Sequence, residues 1–197
     1  MATIINPLAK KYYPLSIYWK CNVCAHNTAG RIYSSAVHAY QAAKLEHSKD
    51  SIGNWEYIWN SIPDPRDVIP LCSTMKVRSD WNDVNKKMLM DILRQKFYSN
   101  PELGKLLLST GSRKIVDNTL NNHDYLENFA GEALMEIRME LKKFLKGIAL
   151  ILKKHNGKKR SAIKEMGEVY RDYYFGNPHP HNYVFYGNIK VHGLDQL

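Results

Sequence analysis

The sequence lacks the features of several classes of protein. Its 197 residues include three cysteines, too few for the disulfide framework of a small secreted domain. It contains no apolar run of about 18 residues, so no membrane-spanning helix and no membrane partner are expected. The N-terminal residues form no apolar signal-peptide segment. These absences predict a protein of the reducing cytoplasm, or of the host cytoplasm if the protein is viral.

Metal ligands at useful spacing are also scarce. Cys21 and Cys24 form a CxxC pair with His26 nearby, but a tetrahedral zinc site would need a second pair of ligands. Cys72 and scattered histidines are the other candidates, and they do not have that spacing. We therefore predict no metal site and no cofactor. The two cysteines of the pair are expected to be reduced thiols in a hairpin.

Positive charge is what the chain has in excess. It has 28 Lys and Arg residues against 19 Asp and Glu residues, which gives a formal net charge of +9. Long-range attraction would favour a polyanionic or phosphorylated partner, although a generally basic, soluble surface explains the same charge. Part of the excess is clustered, at Lys142, Lys143, Lys146, Lys153, Lys154, Lys158, Lys159 and Arg160. No motif of a nucleic-acid-binding fold accompanies this cluster, so contact with nucleic acid is kept as an alternative.

Apolar spacing, together with start and stop signals, predicts a mainly α-helical fold with a few short strands. The four longer predicted helices are Ala36 to about His47, Trp81–Phe97, Pro101 to near Gly111, and about Asn128 to Lys154. The shorter predicted elements are strands at Tyr12–Trp19 and Arg31–Tyr33, helices near Trp55–Ile62 and Ser161–Tyr173, a structured loop with one helical turn over Asp64–Met75, and a hairpin of Val184–Tyr186 with Ile189–Val191.

Polar residues and glycines mark the ends of the predicted helices. Side-chain oxygens at these positions accept hydrogen bonds from free backbone N–H groups. The expected N-caps are Ser34 or Ser35, Ser79 or Asp80, and Asn100. Pro101 suits the first position of a helix, and Gly111 suits a C-terminal stop.

Five segments, taken in order, resemble the YbiA-like or NADAR family. They are YYPLSIYWKC (12–21), GRIYSSAVHAYQAAKL (30–45), DPRDV (64–68), RSDWNDVNKKMLMDILRQKFYSNPELGKLLLSTG (78–111) and NFAGEALMEIRMEL (128–141). The resemblance covers about residues 12–145. We therefore predict a NADAR domain over residues 1–157 and a basic, aromatic C-terminal extension over residues 158–197.

The resemblance implies a compact, mainly α-helical (α+β) domain with a pocket of nucleotide size. Members of the family cleave N-glycosidic bonds, either in phosphorylated pyrimidine intermediates of riboflavin biosynthesis or between ADP-ribose and a modified guanine base. Such a reaction passes through an oxocarbenium-like state that a carboxylate stabilises. The implied ligand is a ribosyl nucleotide or an ADP-ribose group.

The resemblance also suggests which residues bind that ligand. The candidates are Arg78, Asp80, Trp81, His38, Gln41, Tyr125 and Asn128. Trp81 would stack on a base or a ribose, while Arg78 and Asp80 would hold polar groups of the ligand or each other. Structural alternatives stand beside these roles. Trp81 can be a buried anchor of its helix, Asp80 and Asn128 can be N-caps, and His38 and Gln41 can be a pair on a helix surface.

The acid most often assigned a catalytic role in the family is missing. The family's Glu-His pair is Val37-His38 in this chain. A second family acid, further along the chain, aligns with Asn122, or with Asp124 after a two-residue shift. Asp124 is therefore the candidate catalytic carboxylate. Loss of a general acid or base typically costs on the order of 10²–10⁴ in rate, which argues against the family's ordinary catalysis.

Three hypotheses follow for the function. The chain is an N-glycosyl hydrolase that uses Asp124, or a non-catalytic protein that binds a ribosyl nucleotide or ADP-ribose. The third is an interaction or assembly protein that binds a protein or nucleic-acid partner through Lys158, Lys159 and Arg160. A composition rich in Lys, Asn and Tyr would suit an AT-rich genome such as that of a large phage.

Overall fold

The computed structural model describes residues 4–25, 31–45, 61–120 and 128–156. The chain divides into two compact units, Met1–Lys142 and Lys143–Leu197. Within the described residues there are two strands and five α-helices: β1 (Lys20–Ala25), β2 (Arg31–Ser35), α1 (Ala36–Lys44), α2 (Val68–Cys72), α3 (Trp81–Ser99), α4 (Pro101–Ser109) and α5 (Phe129–Lys154). The mainly helical α+β fold class is confirmed. The predicted elements at Ser161–Tyr173 and Val184–Val191 lie outside the described residues, as does nearly all of Trp55–Ile62.

The two strands form an antiparallel hairpin. Val23 pairs with Tyr33 and Lys20 with Ser35, and the register is irregular between Lys20 and Val23. Both Val23 and Tyr33 are buried, so this pair faces the core. Cys21 lies in β1 as a free thiol, as expected for a cysteine of the hairpin.

The strand predicted over Tyr12–Trp19 is wrong. A 3-10 turn occupies Tyr13–Leu15, and four amides of this segment, those of Tyr12, Leu15, Ser16 and Trp19, donate to carbonyls three residues earlier. Aromatic composition favoured a strand, but Pro14 lies in the middle of the segment. Proline fixes φ near the helical value and has no N–H for a ladder, so the chain turns here and the strand begins at Lys20.

Helix α1 lies at the centre of the core. Eight of its nine residues are buried, because α2, α3 and both strands pack around it. Its predicted N-cap is confirmed, since the Ser35 hydroxyl accepts from the His38 N–H at 3.5 Å. The helix ends at Lys44, three residues before the predicted end. Leu45 is extended and forms an isolated bridge with Val77.

Helices α3 and α4 follow the prediction closely, but two of their predicted caps are wrong. Asp80 occupies the N-cap position of α3 without a capping bond, because its carboxylate binds Arg78. Asn100 likewise does not cap α4, since its amide donates to the carbonyls of Lys96 and Asn22. The stop at Gly111 is confirmed by its φ of +67°, a left-handed conformation that glycine adopts without strain. The single helical turn predicted within Asp64–Met75 is present as α2.

The first turn of α5 approaches the segment before it unusually closely. A Cβ added at Gly131 would lie 2.4 Å from Asn128 Oδ1 and 2.6 Å from the Ile115 carbonyl. Asn128, which has a positive φ of 51°, accepts from the Asp117 N–H at 3.0 Å through Oδ1 and from the Glu132 N–H at 3.0 Å through its carbonyl. A glycine at position 131 therefore lets residues 115–117 lie directly against the start of α5.

Candidate functional site

The segment before α3 is held against the end of α1. The Arg78 N–H donates to the Lys44 carbonyl at 3.0 Å, which continues the bridge between Leu45 and Val77. The Arg78 guanidinium then donates to both oxygens of Asp80, at 2.5 and 2.7 Å. Of the two roles considered for this pair, the structure shows the one in which Arg78 and Asp80 hold each other.

Trp81 is part of the core in this conformation. Only 4% of the residue is exposed, and its ring lies 5.0 Å from the ring of Tyr40 at a tilt of 60°. Tyr40 comes from the middle of α1, so this aromatic contact fixes the start of α3 against the central helix. Burial at this level is typical of an anchoring aromatic residue.

His38 is also internal, and both of its ring nitrogens are engaged. Nε2 lies 2.8 Å from the Ile62 carbonyl, and Nδ1 lies 2.7 Å from the Ser35 hydroxyl. A carbonyl can only accept, so Nε2 carries the proton and Nδ1 accepts from Ser35. Burial lowers the pKa of His38, although the Ile62 carbonyl acts in the opposite direction. The side chain is therefore a neutral imidazole that joins the start of α1 to residue 62.

Gln41 differs from His38 in its hydrogen bonding. It lies one turn further along α1 and is only 3% exposed, so the pair is buried and does not lie on a helix surface. The Gln41 Nε2 has no acceptor among the described residues. A buried amide nitrogen without a partner is uncommon and costs stability, which makes it a donor suited to a ligand.

The remaining sequence-predicted site residues are distributed as follows. Asp124 and Tyr125 lie outside the described residues. Asn128 uses its side-chain oxygen to position Asp117, as described above. Val37, which replaces the family acid, is fully buried, and its N–H donates to the Ile17 carbonyl at 3.1 Å.

Three buried charged residues were not among the sequence-predicted set: Lys96, Asp117 and Arg138. Arg138 has internal acceptors, since its guanidinium donates to the Thr110 hydroxyl and to the Arg113 carbonyl, both at 2.8 Å. Lys96 on α3 is completely buried, and its Nζ donates to the Ser16 carbonyl at 2.5 Å. Burial lowers the pKa of Lys96 to about 8, while Cys21 and Asp117 act against that decrease. Lys96 follows Ile92 and Leu93 by four and three residues, so a lysine in an apolar helical series was a usable signal.

Asp117 is the second of these residues, and it is 2% exposed. Its Oδ1 accepts from the Thr119 N–H at 3.0 Å and from the Thr119 hydroxyl, whereas Oδ2 has no donor among the described residues. Asp117 lies in an irregular segment without periodicity. Its burial depends on the contact with Asn128 and could not be read from the local sequence.

Lys96 and Val37 both bind the short segment that follows the 3-10 turn. The Ser16 carbonyl accepts from Lys96, and the next carbonyl, that of Ile17, accepts from Val37. The carbonyl that accepts from Val37 is thus adjacent in sequence to the carbonyl that accepts from the buried lysine. The local arrangement combines a buried cation with the apolar side chain of Val37, where the family resemblance leads one to expect a carboxylate.

Other features of the described residues offer fewer groups that could bind a ligand. A depression of about 280 Å³ is lined by Ile4, Asn6, Leu8, Val116, Asn118 and Thr119, and none of the sequence-predicted site residues lines it. Within the described residues, no group of His, Cys, Asp and Glu is arranged to hold a metal ion. A helix long and apolar enough to cross a membrane is likewise not found there.

Comparisons with known proteins agree with the resemblance seen in the sequence. Over 120 residues the chain is 26% identical to the N-glycosidase Npun_R5314 of Nostoc punctiforme, which covers 57% of this chain and 77% of that protein. Over 72 residues it is 35% identical to the N-glycosidase YbiA of Escherichia coli, which covers 33% of this chain and 45% of YbiA. The NMR structure of E. coli YbiA superposes with a TM-score of 0.57 at 25% identity, covering 72% of this chain and 86% of YbiA. Residues 5–142 match the family model of the NADAR domain. The chain belongs to the NADAR domain family, whose relatives include these N-glycosidases.

Proposed function

We propose that this chain binds a ribosyl nucleotide or an ADP-ribose group, and that it does not hydrolyse N-glycosidic bonds at an ordinary enzymatic rate. The observation that carries the proposal is the composition of α1. Gln41 keeps a buried, unused donor, whereas the position of the family acid is the buried, apolar Val37. A donor suited to a ligand thus lies on the same helix from which the carboxylate that would stabilise an oxocarbenium-like state is absent.

Binding and turnover can be measured separately on the full chain. Melting curves with ADP-ribose and a panel of ribosyl nucleotides are expected to show saturable stabilisation, about 2.7 kcal/mol at a ligand concentration of 100 Kd. Release of free base or ADP-ribose from ribosyl pyrimidines and ADP-ribosylated guanine is expected to stay at background. Unchanged melting curves over the whole panel would refute ligand binding.

A gain-of-function variant tests the missing acid. Val37→Glu places a carboxylate in the first turn of α1, where the helix dipole favours a negative charge. We expect this variant to show turnover that Val37→Gln, which has a similar shape and no charge, does not show. Rapid turnover by the unmodified chain would contradict the proposal. In that case, loss of turnover in Asp124→Asn would assign the catalytic carboxylate to Asp124.

The alternative is a partner bound by the basic C-terminal region. The net charge of +9 favours it, and Lys153 and Lys154 are exposed at the end of α5. If this alternative is correct, replacing Lys158, Lys159 and Arg160 together by Gln weakens binding to single-stranded nucleic acid or to an acidic protein, with a smaller salt dependence. The ADP-ribose melting shift stays unchanged. Equal binding by the triple variant would remove this alternative.

A further inference from the structure

A short pairing of two segments forms the base of the surface depression described above. The Ile5 N–H donates to the Lys114 carbonyl at 2.8 Å, and the Val116 N–H donates to the Ile5 carbonyl at 2.9 Å. Ile5 and Ile115 form an isolated parallel bridge, and both are buried. Because side chains alternate between the two faces of an extended segment, the neighbours of Ile5 point outward. Ile4 is accordingly exposed.

Aliphatic side chains line much of this depression, which has a volume of about 280 Å³. Ile4 and Leu8 are 58% and 52% exposed, and Val116 is the third aliphatic residue of the lining. The wall is held in place by Asn6, whose Oδ1 accepts from the Leu8 N–H at 2.8 Å. Pockets for drug-sized ligands measure about 300–1,000 Å³. The depression is therefore better suited to one side chain of a partner than to a whole small molecule.

Basic residues border the depression in both of the segments that line it: Lys10, Lys11, Arg113 and Lys114. Tyr12 brings the two basic ends together, since Lys11 Nζ and the Arg113 guanidinium lie 5.3 and 5.7 Å from the centroid of its ring. No carboxylate of the described residues forms an ion pair with any of the four cations. The one acid in residues 4–11 and 113–119 is Asp117, which is buried. An aliphatic depression thus has a rim of uncompensated positive charge.

This combination restricts the class of partner. Nucleic acid would use the cations but would leave the exposed aliphatic residues without a contact. A second copy of this surface would bring the same positive charge. The C-terminal segment after residue 157 also has a positive net charge, with six Lys and Arg residues against four Asp and Glu residues.

A protein segment in which acidic residues flank an aliphatic one complements both features of the surface. Its aliphatic side chain fills the depression as a buried anchor, and its carboxylates meet the basic rim. We propose that the depression between residues 4–8 and 116–119 is a docking site for such an acidic segment of a partner protein. The site is separate from the proposed ligand site, because no residue of α1 lines the depression.

The test uses a displayed library of random dodecapeptides, selected on the immobilised full chain. Synthetic copies of the enriched peptides are then titrated with the full chain by fluorescence anisotropy. The enriched sequences are expected to combine an aliphatic residue with several Asp or Glu residues. Their affinity should fall as salt is added, because salt screens exposed charges.

Two variants separate the aliphatic lining from the basic rim, and all the substituted positions are exposed. Leu8→Asn removes part of the aliphatic lining and should weaken binding of the enriched peptides by about tenfold or more. Lys11→Gln combined with Lys114→Gln should weaken it about tenfold at low salt and reduce its salt dependence. The matched controls are Leu71→Asn on α2 and Lys105→Gln on α4, which should leave the affinity within about twofold of the unmodified chain. Far-UV circular dichroism establishes that each variant is folded.

The outcomes decide between the docking site and its alternatives. Loss of affinity in both Leu8→Asn and the lysine variant, with the controls unchanged, supports the site. Loss in only one of them would overturn it, since docking requires both the aliphatic lining and the basic rim. No enrichment, or enriched peptides without acidic residues, would also overturn it.

Two further measurements identify what the surface does if the proposal fails. A fluorescein-labelled oligothymidylate whose binding weakens in the lysine variant, without enrichment of peptides, would assign the surface to nucleic acid and overturn the proposal. Peptide binding that is lost on replacing Lys158, Lys159 and Arg160 by Gln, and kept in Leu8→Asn, would assign it to the C-terminal region and overturn the proposal. The ADP-ribose melting shift should be the same in all these variants.

Discussion

Two glycines of α5 give a matched pair of substitutions with opposite expected effects. A Cβ at Gly131 would lie 2.4 Å from Asn128 Oδ1, 2.6 Å from the Ile115 carbonyl and 3.0 Å from the Asp117 nitrogen. Two of these distances are below any normal contact, and the Ile115 carbonyl cannot move without moving the backbone. A Cβ at Gly147 would meet nothing within 4 Å. Both glycines lie in the same helix.

The expected energies follow from these contacts. Overpacking at Gly131→Ala costs about 1–3 kcal/mol. Displacing Asn128 from Asp117 would leave a buried N–H unsatisfied, which costs about 1–3 kcal/mol more. The gain in helix propensity offsets at most about 1 kcal/mol. We therefore expect Gly131→Ala to destabilise the protein by about 3 kcal/mol and Gly147→Ala to stabilise it by about 0.5–1 kcal/mol.

Urea denaturation followed by far-UV circular dichroism measures both effects. The denaturation midpoint should fall for Gly131→Ala and rise slightly for Gly147→Ala, while the slope with urea stays the same. If both substitutions raise the midpoint, α5 does not approach residues 115–117 as closely as the structure shows. The close contact would then not account for the position of Asp117.

Three further predictions concern buried or half-buried polar groups. Because Lys96 has a folded-state pKa of about 8 against 10.5 ordinarily, the unfolded chain binds more protons between these values and stability rises with pH there. Lys96→Met should remove a rise on the order of 3 kcal/mol from urea titrations between pH 8 and 10.5. Gln41→Leu should leave the free chain as stable or more stable, since it removes a buried unsatisfied donor, and should weaken ADP-ribose binding about tenfold. Glu140→Gln should cost about 1–2 kcal/mol at pH 7, because the Glu140 carboxylate accepts from Arg94 and Tyr98 at 2.7 Å each, whereas the exposed Glu136→Gln should cost under about 0.5 kcal/mol.

Each of these predictions has a result that would contradict it. An identical pH dependence in Lys96→Met would show that the lysine titrates as it does in water. Unchanged ADP-ribose affinity in Gln41→Leu would exclude its amide from the binding site. Burial raises the pKa of Glu140, but the hydrogen bonds from Arg94 and Tyr98 outweigh it and the net pKa is lowered. The effect of Glu140→Gln should therefore shrink in acid as the pH falls through that pKa, and a constant effect would contradict the assignment.

Local signals in the sequence were sufficient to predict where α3 and α4 begin and where the chain stops being helical at Gly111. The regular apolar spacing of α3, Pro101 at the start of α4 and the left-handed Gly111 all depend on residues close in the chain, and all were predicted correctly. The caps at Asp80 and Asn100 were not, because each side chain has a better partner elsewhere. Asp80 binds a guanidinium, and Asn100 binds the carbonyl of Asn22, which is distant in sequence. A polar side chain at a helix start can either cap the helix or bind another group. Which of these partners lies within reach is seen only in the folded structure.

In the candidate site, too, some features were predicted from nearby residues, and others depend on residues distant in sequence. Family motifs indicated α1 and the start of α3, and the structure brings these two segments together through the Tyr40–Trp81 contact. His38 already has internal partners for both ring nitrogens. Gln41 Nε2 and Asp117 Oδ2 are among the buried polar atoms without a hydrogen-bond partner in the described part of the chain, and Asp117 was not predicted.

A buried polar atom without a partner can bind a ligand without losing an internal hydrogen bond, whereas a motif residue whose hydrogen bonds are complete cannot. A motif residue such as His38 can serve only the fold, because its hydrogen bonds are complete within the protein. Burial of Gln41 Nε2 and Asp117 Oδ2 without partners lowers the stability of the ligand-free protein. A ligand that forms hydrogen bonds with these atoms would offset that loss on binding. Under the proposed function, binding and catalysis separate at Val37, because its apolar side chain supplies no carboxylate to the reaction.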